Sequence, residues 1–560
     1  MQKSFFKFFL FLFLFSFSLA FSQTQPAVIK VDFGKTVGEM NPIWSWFGYD
    51  EPNYTYMKDG KKLLTEMASL SPVPVYVRTH NLMTSGDGTP ALKWGSTNMY
   101  TEDTHGKPVY NWAIVDSIFD SYVSRKMKPL AQIGFMPEAL STNPQPYQHD
   151  WKPGDKFEKL LTGWTYPPKD YNKWSELVFQ WVTHCVARYG KAEVESWYWE
   201  LWNEPNGVYW KGTRQEFFKL YDYTADAVKR ALPKAQMGGC NVTGNGMKFL
   251  DDFLKHCVSD TNYVTGKIGS PLDMILFHAK GSPKVMDGKV VMDVRAQLKN
   301  ITDNFAVIAK YPQLKNVPVI LGESDPEGCA ACSMATNPEN AYRNGTMFSS
   351  YTAASFARIY ELTDRHQKNL LGAVSWSFEF ENQPWFGGFR DLATNGVDKP
   401  VLNVFRMFGK MSGKRVAVES NRMYALDSIL RSSIRNQSDI GALAAVDKNT
   451  ASVMVWNYHD IDQPGAPENV MVQLAGIPAG KKVFLSQYVI DKKHSNSYEV
   501  WKGMGSPQKP SNEQIKKLEK AGALQLVGGR KELKLSGNKS VIRLALEAQS
   551  TVLLKLDWTN

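Results

Sequence analysis

The chain has 560 residues, 43% of them hydrophobic and 13% aromatic, with a formal net charge of +10. That much apolar material excludes a disordered chain and suffices for one large domain of about 350 residues with a smaller one beside it. The basic excess is spread without a basic block, so nucleic-acid binding is not implied, and the five cysteines, Cys185, Cys240, Cys257, Cys329 and Cys332, are too few for a disulfide scaffold.

The chain opens on Met1, Gln2 and Lys3, followed by an apolar run over 8–21 that closes on Ala20-Phe21-Ser22. This is the pattern of a secretory signal peptide, cleaved after Ser22, and the run is shorter than the ~20 residues of a membrane-spanning helix. Its removal takes away Lys3 and Lys7 and leaves a net charge of +8. The expected location is therefore secreted or periplasmic, with no membrane attachment after cleavage. A strand-like stretch at 28–33 follows, and it is expected to pair with a sheet near the C-terminus.

Short runs rich in β-branched and aromatic residues then recur at 43–47, 75–78, 130–135, 197–201, 236–239, 274–277, 317–321 and 373–377. Eight such runs alternating with helical segments predict a (β/α)8 TIM barrel over 41–412. Trp174, Leu177, Val178, Trp181 and Val182 fall on one helical face. Thr213 and Glu216 form a capping box ahead of another stripe, Phe217, Leu220, Tyr221 and Val228, and Asn111 is the expected cap of a third helix. After about Gly413 short strands separated by Gly, Pro and Asn predict an accessory β-sandwich over 413–560. One helix interrupts it, capped at Ser511 and stopped at Gly522.

Two carboxylates stand at strand exits, where barrels of this kind place their chemistry. Glu204 lies in Trp199-Glu-Leu-Trp-Asn-Glu-Pro-Asn206 at the fourth run, and Glu323 in Val317-Pro-Val-Ile-Leu-Gly-Glu-Ser-Asp-Pro326 at the seventh. A pair facing across a barrel mouth suits retaining glycoside hydrolysis, with Glu204 as proton donor and Glu323 as nucleophile. An ionised Glu323 is expected to raise the pKa of Glu204 and keep it protonated. His80, Asn81, Glu138, Asn203, His278, Lys280, Trp376, Glu379 and Arg390 fall at the same mouth, and all but Asn81 and Glu138 are taken as substrate-binding. Arg78 is expected to hold carboxylates in place. Trp44, Trp46, Trp385 and Phe386 are candidates for sugar stacking or for packing. Cys329-Ala-Ala-Cys332 fits a packed or disulfide-bonded loop better than a redox or metal motif.

At these residues the chain resembles glycoside hydrolase family 39, the family of β-D-xylosidases and α-L-iduronidases. The likeness runs through Gly134-Phe-Met-Pro-Glu-Ala139, Trp202-Asn-Glu-Pro-Asn206, Phe277-His278, Gly322-Glu323 and Phe386-Gly-Gly-Phe389. It continues through Val455-Trp-Asn-Tyr-His459, His494-Ser-Asn496 and Met504-Gly-Ser-Pro507. The resemblance implies a barrel with an accessory β-sandwich, the roles given to Glu204 and Glu323, and no metal or organic cofactor. Lys280 in Phe277-His-Ala-Lys280 and Arg390 in Gly388-Phe-Arg390 depart from many xylosidases and look more like uronate-binding residues of the iduronidases. Alternatively, these cations pair with Glu379, Glu381 or Asp391 and shape the pocket. The expected partner is an oligosaccharide of plant or algal origin whose terminal sugar, β-xylose ahead of a uronic acid, is released. A non-catalytic carbohydrate-binding barrel is the rival reading, and two intact carboxylates argue against it.

Overall fold

The computed structural model describes residues 26–376, 378–463 and 465–558, so the expected signal peptide lies outside the described residues. After β1 (Ala27–Glu39), eight parallel strands form a barrel. They are β2 (Trp46–Tyr49), β3 (Tyr76–Thr79), β4 (Lys128–Ile133), β5 (Tyr198–Leu201), β6 (Gln236–Val242), β7 (Met274–Lys280), β8 (Val319–Asp325) and β9 (Leu370–Ala373, resumed at Ser375–Trp376). The first half of β9 pairs with β8 and the second with β2, which closes the ring. Strands buried on both faces read as continuous apolar runs, which is why the sequence marks them. Two go further than their apolar runs: β7 and β8 stay paired through Glu323↔His278, Ser324↔Ala279 and Asp325↔Lys280.

The helices follow their stripes. Trp174, Leu177, Val178, Trp181 and Val182 are all fully buried on the helix Tyr171–Tyr189, whose cap is Asp170. The capping box of Thr213 and Glu216 opens the helix Arg214–Ala231. At the helix Ala113–Val123 the cap position belongs to Trp112, and Asn111 serves one step earlier, its Oδ1 accepting from Ala113 N at 3.1 Å.

Apart from three short two-stranded hairpins in the barrel loops, the later strands are β10 (Lys414–Ser420), β11 (Asp439–Asp447), β12 (Thr450–Tyr458), β13 (Glu468–Ala475), β14 (Val483–Ile490), β15 (Gln525–Glu532), β16 (Ser540–Leu546) and β17 (Thr551–Trp558). With β1 they make one nine-stranded sheet in the order β15-β14-β17-β12-β11-β10-β1-β13-β16. β1 runs antiparallel to β10 and parallel to β13. The sheet folds over its own core, including Ile29, Val31, Val453, Leu485 and Leu554, separate from the core of the barrel. The helix Asn512–Gly522 has its capping box at Ser511, but Leu426–Ser432 and Ser497–Gly503 are also helical, where the sequence suggested one helix. Two ion pairs fasten the two bodies: in a buried one Arg358 Nη2 lies 3.2 Å from Asp439, and in a half-exposed one Arg415 Nη2 lies 2.8 Å from Asp364. Cys329 and Cys332 are disulfide-bonded, while Cys185, Cys240 and Cys257 are free and buried.

Candidate active site

The two carboxylates are delivered by different local devices. Glu204 follows β5 in a turn where Trp202 and Glu204 both have positive φ, 62° and 43°. Trp202 N donates to Ile133 O at 3.1 Å and Glu204 N to Asn241 O at 2.9 Å, so the neighbouring strands pin the turn from both sides. Asn81 and Asn241 also have positive φ near the ends of β3 and β6. Such strain gathers where surrounding structure over-determines the backbone, as at active sites. Glu323 depends on a bulge: the pairing of β8 with β7 steps from Leu321↔Phe277 to Glu323↔His278, leaving Gly322 as the extra residue. A Cβ at Gly322 would lie 2.2 Å from Asn241 Oδ1 and 3.1 Å from His278 Cδ2. Only glycine fits there.

One ammonium spans the pair. Lys280 Nζ lies 2.6 Å from Glu323 Oε2 and 3.4 Å from Glu204 Oε1. His278 Nδ1 does the same at 2.9 Å from Glu204 Oε1 and 3.7 Å from Glu323 Oε1. Two oxygens held by one ammonium at these distances lie closer together than the ~6.5–9.5 Å that houses a water between two carboxylates, which is compatible with the short, ~5–5.5 Å class. The Glu323 side chain is 4% exposed and that of Glu204 16%. Glu204 is thus the one that an arriving group meets first.

Arg78, fully buried on β3, organises the floor. Its Nε donates to Glu200 Oε1 at 2.5 Å and its Nη2 to Asn203 Oδ1 at 3.1 Å, and its Nη1 stands 3.1 Å from His80 Nε2 and 3.4 Å from Glu323 Oε1. Since Arg78 can only donate, His80 accepts at Nε2 and carries its proton on Nδ1, 3.1 Å from Asp50 Oδ1. Burial, with Arg78 alongside, pulls the His80 pKa down to about 4, so the ring is neutral at pH 7. Asp50 also accepts from Trp376 Nε1 at 3.1 Å and pairs with Lys93. Asn241 Nδ2 donates to the other oxygen of Glu200 at 2.8 Å. Asp50, Lys93, Glu200, Asn241 and Asp325 were not singled out from the sequence. Glu200 and Asp325 sit inside quoted motifs, and a strand carrying two carboxylates on one face was the available signal.

The structure corrects the expected electrostatics. Burial alone would raise the pKa of Glu204, but Lys280, with His278, outweighs both burial and the charge of Glu323 and holds it down to about 2. Burial likewise works against Glu323, and Lys280, His278, Arg390 and Arg78 hold its pKa far below the usual carboxylate range. The carboxylates in turn push Lys280 up to about 12 against the effect of burial. Removing the shared cation therefore raises both carboxyl pKa values. For Lys280→Met the pH profile of kcat/KM is expected to move as a whole to higher pH, by about one unit or more. A profile that stays in place or moves to lower pH would contradict the assignment.

Of the expected binding residues, His80, Asn203, His278, Lys280, Trp376 and Arg390 join this cluster, and Glu379 does not. Glu379 is buried and accepts from Gly396 N, and burial raises its pKa well above the usual range. Glu138 is held by Gln145 at 2.6 Å, outside the cluster. Arg390 is fully buried, donates from Nη1 to Asp325 Oδ1 at 2.8 Å and to Glu327 O, and places Nη2 3.7 Å from Glu323 Oε2. Neither Arg390 nor Lys280 pairs with Glu381 or Asp391, which instead meet Asp59 N and Lys399. Trp44 and Trp46 are core residues stacked on Phe408 and Tyr76, and Phe386 packs on Trp501 of the second body. No group of three or more His, Cys, Asp or Glu among the described residues is disposed to hold a metal ion.

A family model described as glycosyl hydrolases family 39 matches residues 27–530. A β-xylosidase of Geobacillus stearothermophilus is 28% identical over 462 residues, covering 80% of this chain and 79% of its own. An α-L-iduronidase of Mus musculus is 22% identical over 530 residues, covering 88% of this chain and 75% of its own. The crystal structure of a monomeric β-xylosidase from Caulobacter crescentus superposes with a TM-score of 0.72 at 22% identity, over 95% of this chain and 99% of that one.

Proposed function

The chain belongs to glycosyl hydrolases family 39, and from that premise we propose that it is a retaining exo-β-xylosidase acting on plant or algal oligosaccharides. The observation that carries the mechanism is the single ammonium of Lys280 in contact with both Glu204 and Glu323, because that spacing leaves the second carboxylate as the attacking group. Glu323, kept ionised by the surrounding cations, attacks the anomeric carbon. Glu204 gives a proton to the leaving oxygen and then takes one from water. In the free enzyme Lys280 suppresses the acid form of Glu204, so the incoming glycosidic oxygen has to draw Glu204 off Lys280, whose shorter contact is to Glu323. The more exposed position of Glu204 suits that exchange.

A second reading, a uronate-directed glycosidase, is favoured by the same cations. Lys280 is 21% exposed at the mouth, and Nε and Nη2 of the buried Arg390 find no hydrogen-bond partner among the described residues. A carboxylate would supply two acceptors for such a fork. The apolar run at 8–21 supports export of the mature chain to the periplasm or beyond.

A panel of aryl β-xylosides, arabinosides, galactosides and uronides separates these readings. Turnover of the xyloside well above the others, with the first product in proton NMR keeping the β configuration, is the expected result. Preference for the uronide would replace the first reading by the second, and an initially inverted product would remove the double displacement from both.

A further inference from the structure

An aromatic wall runs from the carboxylates to the rim. The His80 ring lies 3.8 Å from Glu323 Oε1 and meets Phe135, at the end of β4, edge-on at 5.8 Å between centroids. Phe135 contacts Trp164 at 4.5 Å and Tyr209 at 6.1 Å, in the latter case with planes only 16° apart. Tyr209 then meets Phe157 edge-on at 5.7 Å. Phe135, Trp164 and Tyr209 line a small cavity together with Asp50, His80 and Lys93, so the inner part of the wall faces the site.

The outer part is left open. Phe157 is 37% exposed and Val208, next to Tyr209, is 45% exposed. Tyr209 lies on the loop that carries Glu204, its backbone carbonyl accepts from Trp202 Nε1 at 3.0 Å, and its side chain is half-buried at the edge of the site. Burial raises the Tyr209 pKa, and the charges of Asp50, Glu204 and Glu323 raise it further, so the hydroxyl lies within the field of the carboxylates. A phenolic hydroxyl at the edge of the site can donate to or accept from an arriving polar group. An aromatic ring beside it offers an apolar face to the C–H face of a pyranose.

We propose that Tyr209 and Phe157 form the subsite for the leaving half of the substrate, Tyr209 by a hydrogen bond from its hydroxyl and Phe157 by stacking on a second sugar ring. The ligand class is a pyranosyl aglycone, and the inference rests on the glycosidase reading above. It assigns the subsite to the β4 and β5 loops, on the side of the pair where Glu204 stands.

The test compares two donors with the glycone that the aryl panel identifies: its glycosyl fluoride, whose leaving group is one atom, and the matching disaccharide. For Phe157→Ala the ratio of kcat/KM on the disaccharide to kcat/KM on the fluoride is expected to fall roughly 3–10-fold, and Phe157→Trp to restore it. Transfer of the glycone to a sugar acceptor should fall in parallel, since that reaction fills the same subsite. An unchanged ratio, or equal losses on both donors, overturns the proposal. Absence of wild-type turnover of every fluoride removes the parent reading and this one with it, a result recognisable without any variant.

Discussion

Replacing Glu323 with Ala is expected to lower kcat by ~10⁴-fold or more on every substrate, since no glycosyl-enzyme bond can form without it. Added azide should restore part of the activity and give a glycosyl azide of inverted configuration, because the ion attacks from the space the carboxylate vacated. The replacement also leaves Lys280, Arg390 and Arg78 facing one another with less negative charge between them. Loss of one partner from a buried ionic cluster costs on the order of 3–5 kcal/mol, so thermal unfolding has to be measured beside activity. Glu323→Gln keeps the shape and serves as the second variant. Turnover near that of the wild type in folded Ala and Gln variants would take Glu323 out of the mechanism.

Replacing Glu204 with Ala is expected to act by leaving group. On natural oligosaccharides, whose departing oxygen needs a proton, the loss should be about 10²–10⁴-fold. With dinitrophenyl glycosides the first step needs little protonation and should be largely spared. The second step still lacks its base, so glycosyl-enzyme should accumulate and appear as a burst. Azide then reacts with that intermediate and yields a product of retained configuration, opposite to the outcome at Glu323. Lys280 keeps Glu323 as a counter-charge, so this variant is expected to unfold close to the wild-type temperature. Equal losses on activated and natural leaving groups would count against the acid/base role.

How much of this the sequence held depends on which residues are asked. The barrel strands announce themselves because burial on both faces demands unbroken apolar runs such as Val319-Ile-Leu321. Where the runs give way to His278-Ala-Lys280 and Glu323-Ser-Asp325, the strands continue, and composition is silent because the chemistry needs polar side chains in a paired, buried backbone. Arg78 was legible as a holder of carboxylates, but its main partner, Glu200, is known only once β3 and β5 are brought together in space. The pKa of Glu204 came out in the opposite direction because Lys280, distant in sequence, projects from β7 between the two carboxylates. Trp44, Trp46, Trp385 and Phe386 show the limit of composition: an aromatic near a barrel mouth does not reveal whether its face meets sugar or protein. Phe157 opens a single 3-10 turn (Phe157–Leu160) and Tyr209 lies in a turn, elements too short to carry a periodic signal.

β1 leaves the ribosome first and finds its partners last. Ile29 is registered with Ser420 of β10 on one side and with Val472 of β13 on the other. At 5–20 residues per second the second partner emerges roughly 20–90 s later. Until β10 emerges a strand with Ala27, Ile29, Val31 and Phe33 on its inward face has both edges unpaired, the edge that meets β13 stays open longer still, and Lys30 and Asp32 on the opposite face are the charges that discourage premature association. The ordering cost of so long a closure falls on the final assembly step and slows it. In topological terms the catalytic barrel is an insertion within a sheet that begins before it and ends after it. Cutting the polypeptide once near Gly413 would not yield two autonomous halves: one product would keep β1 with no sheet to enter, and the other would lack the strand between β10 and β13.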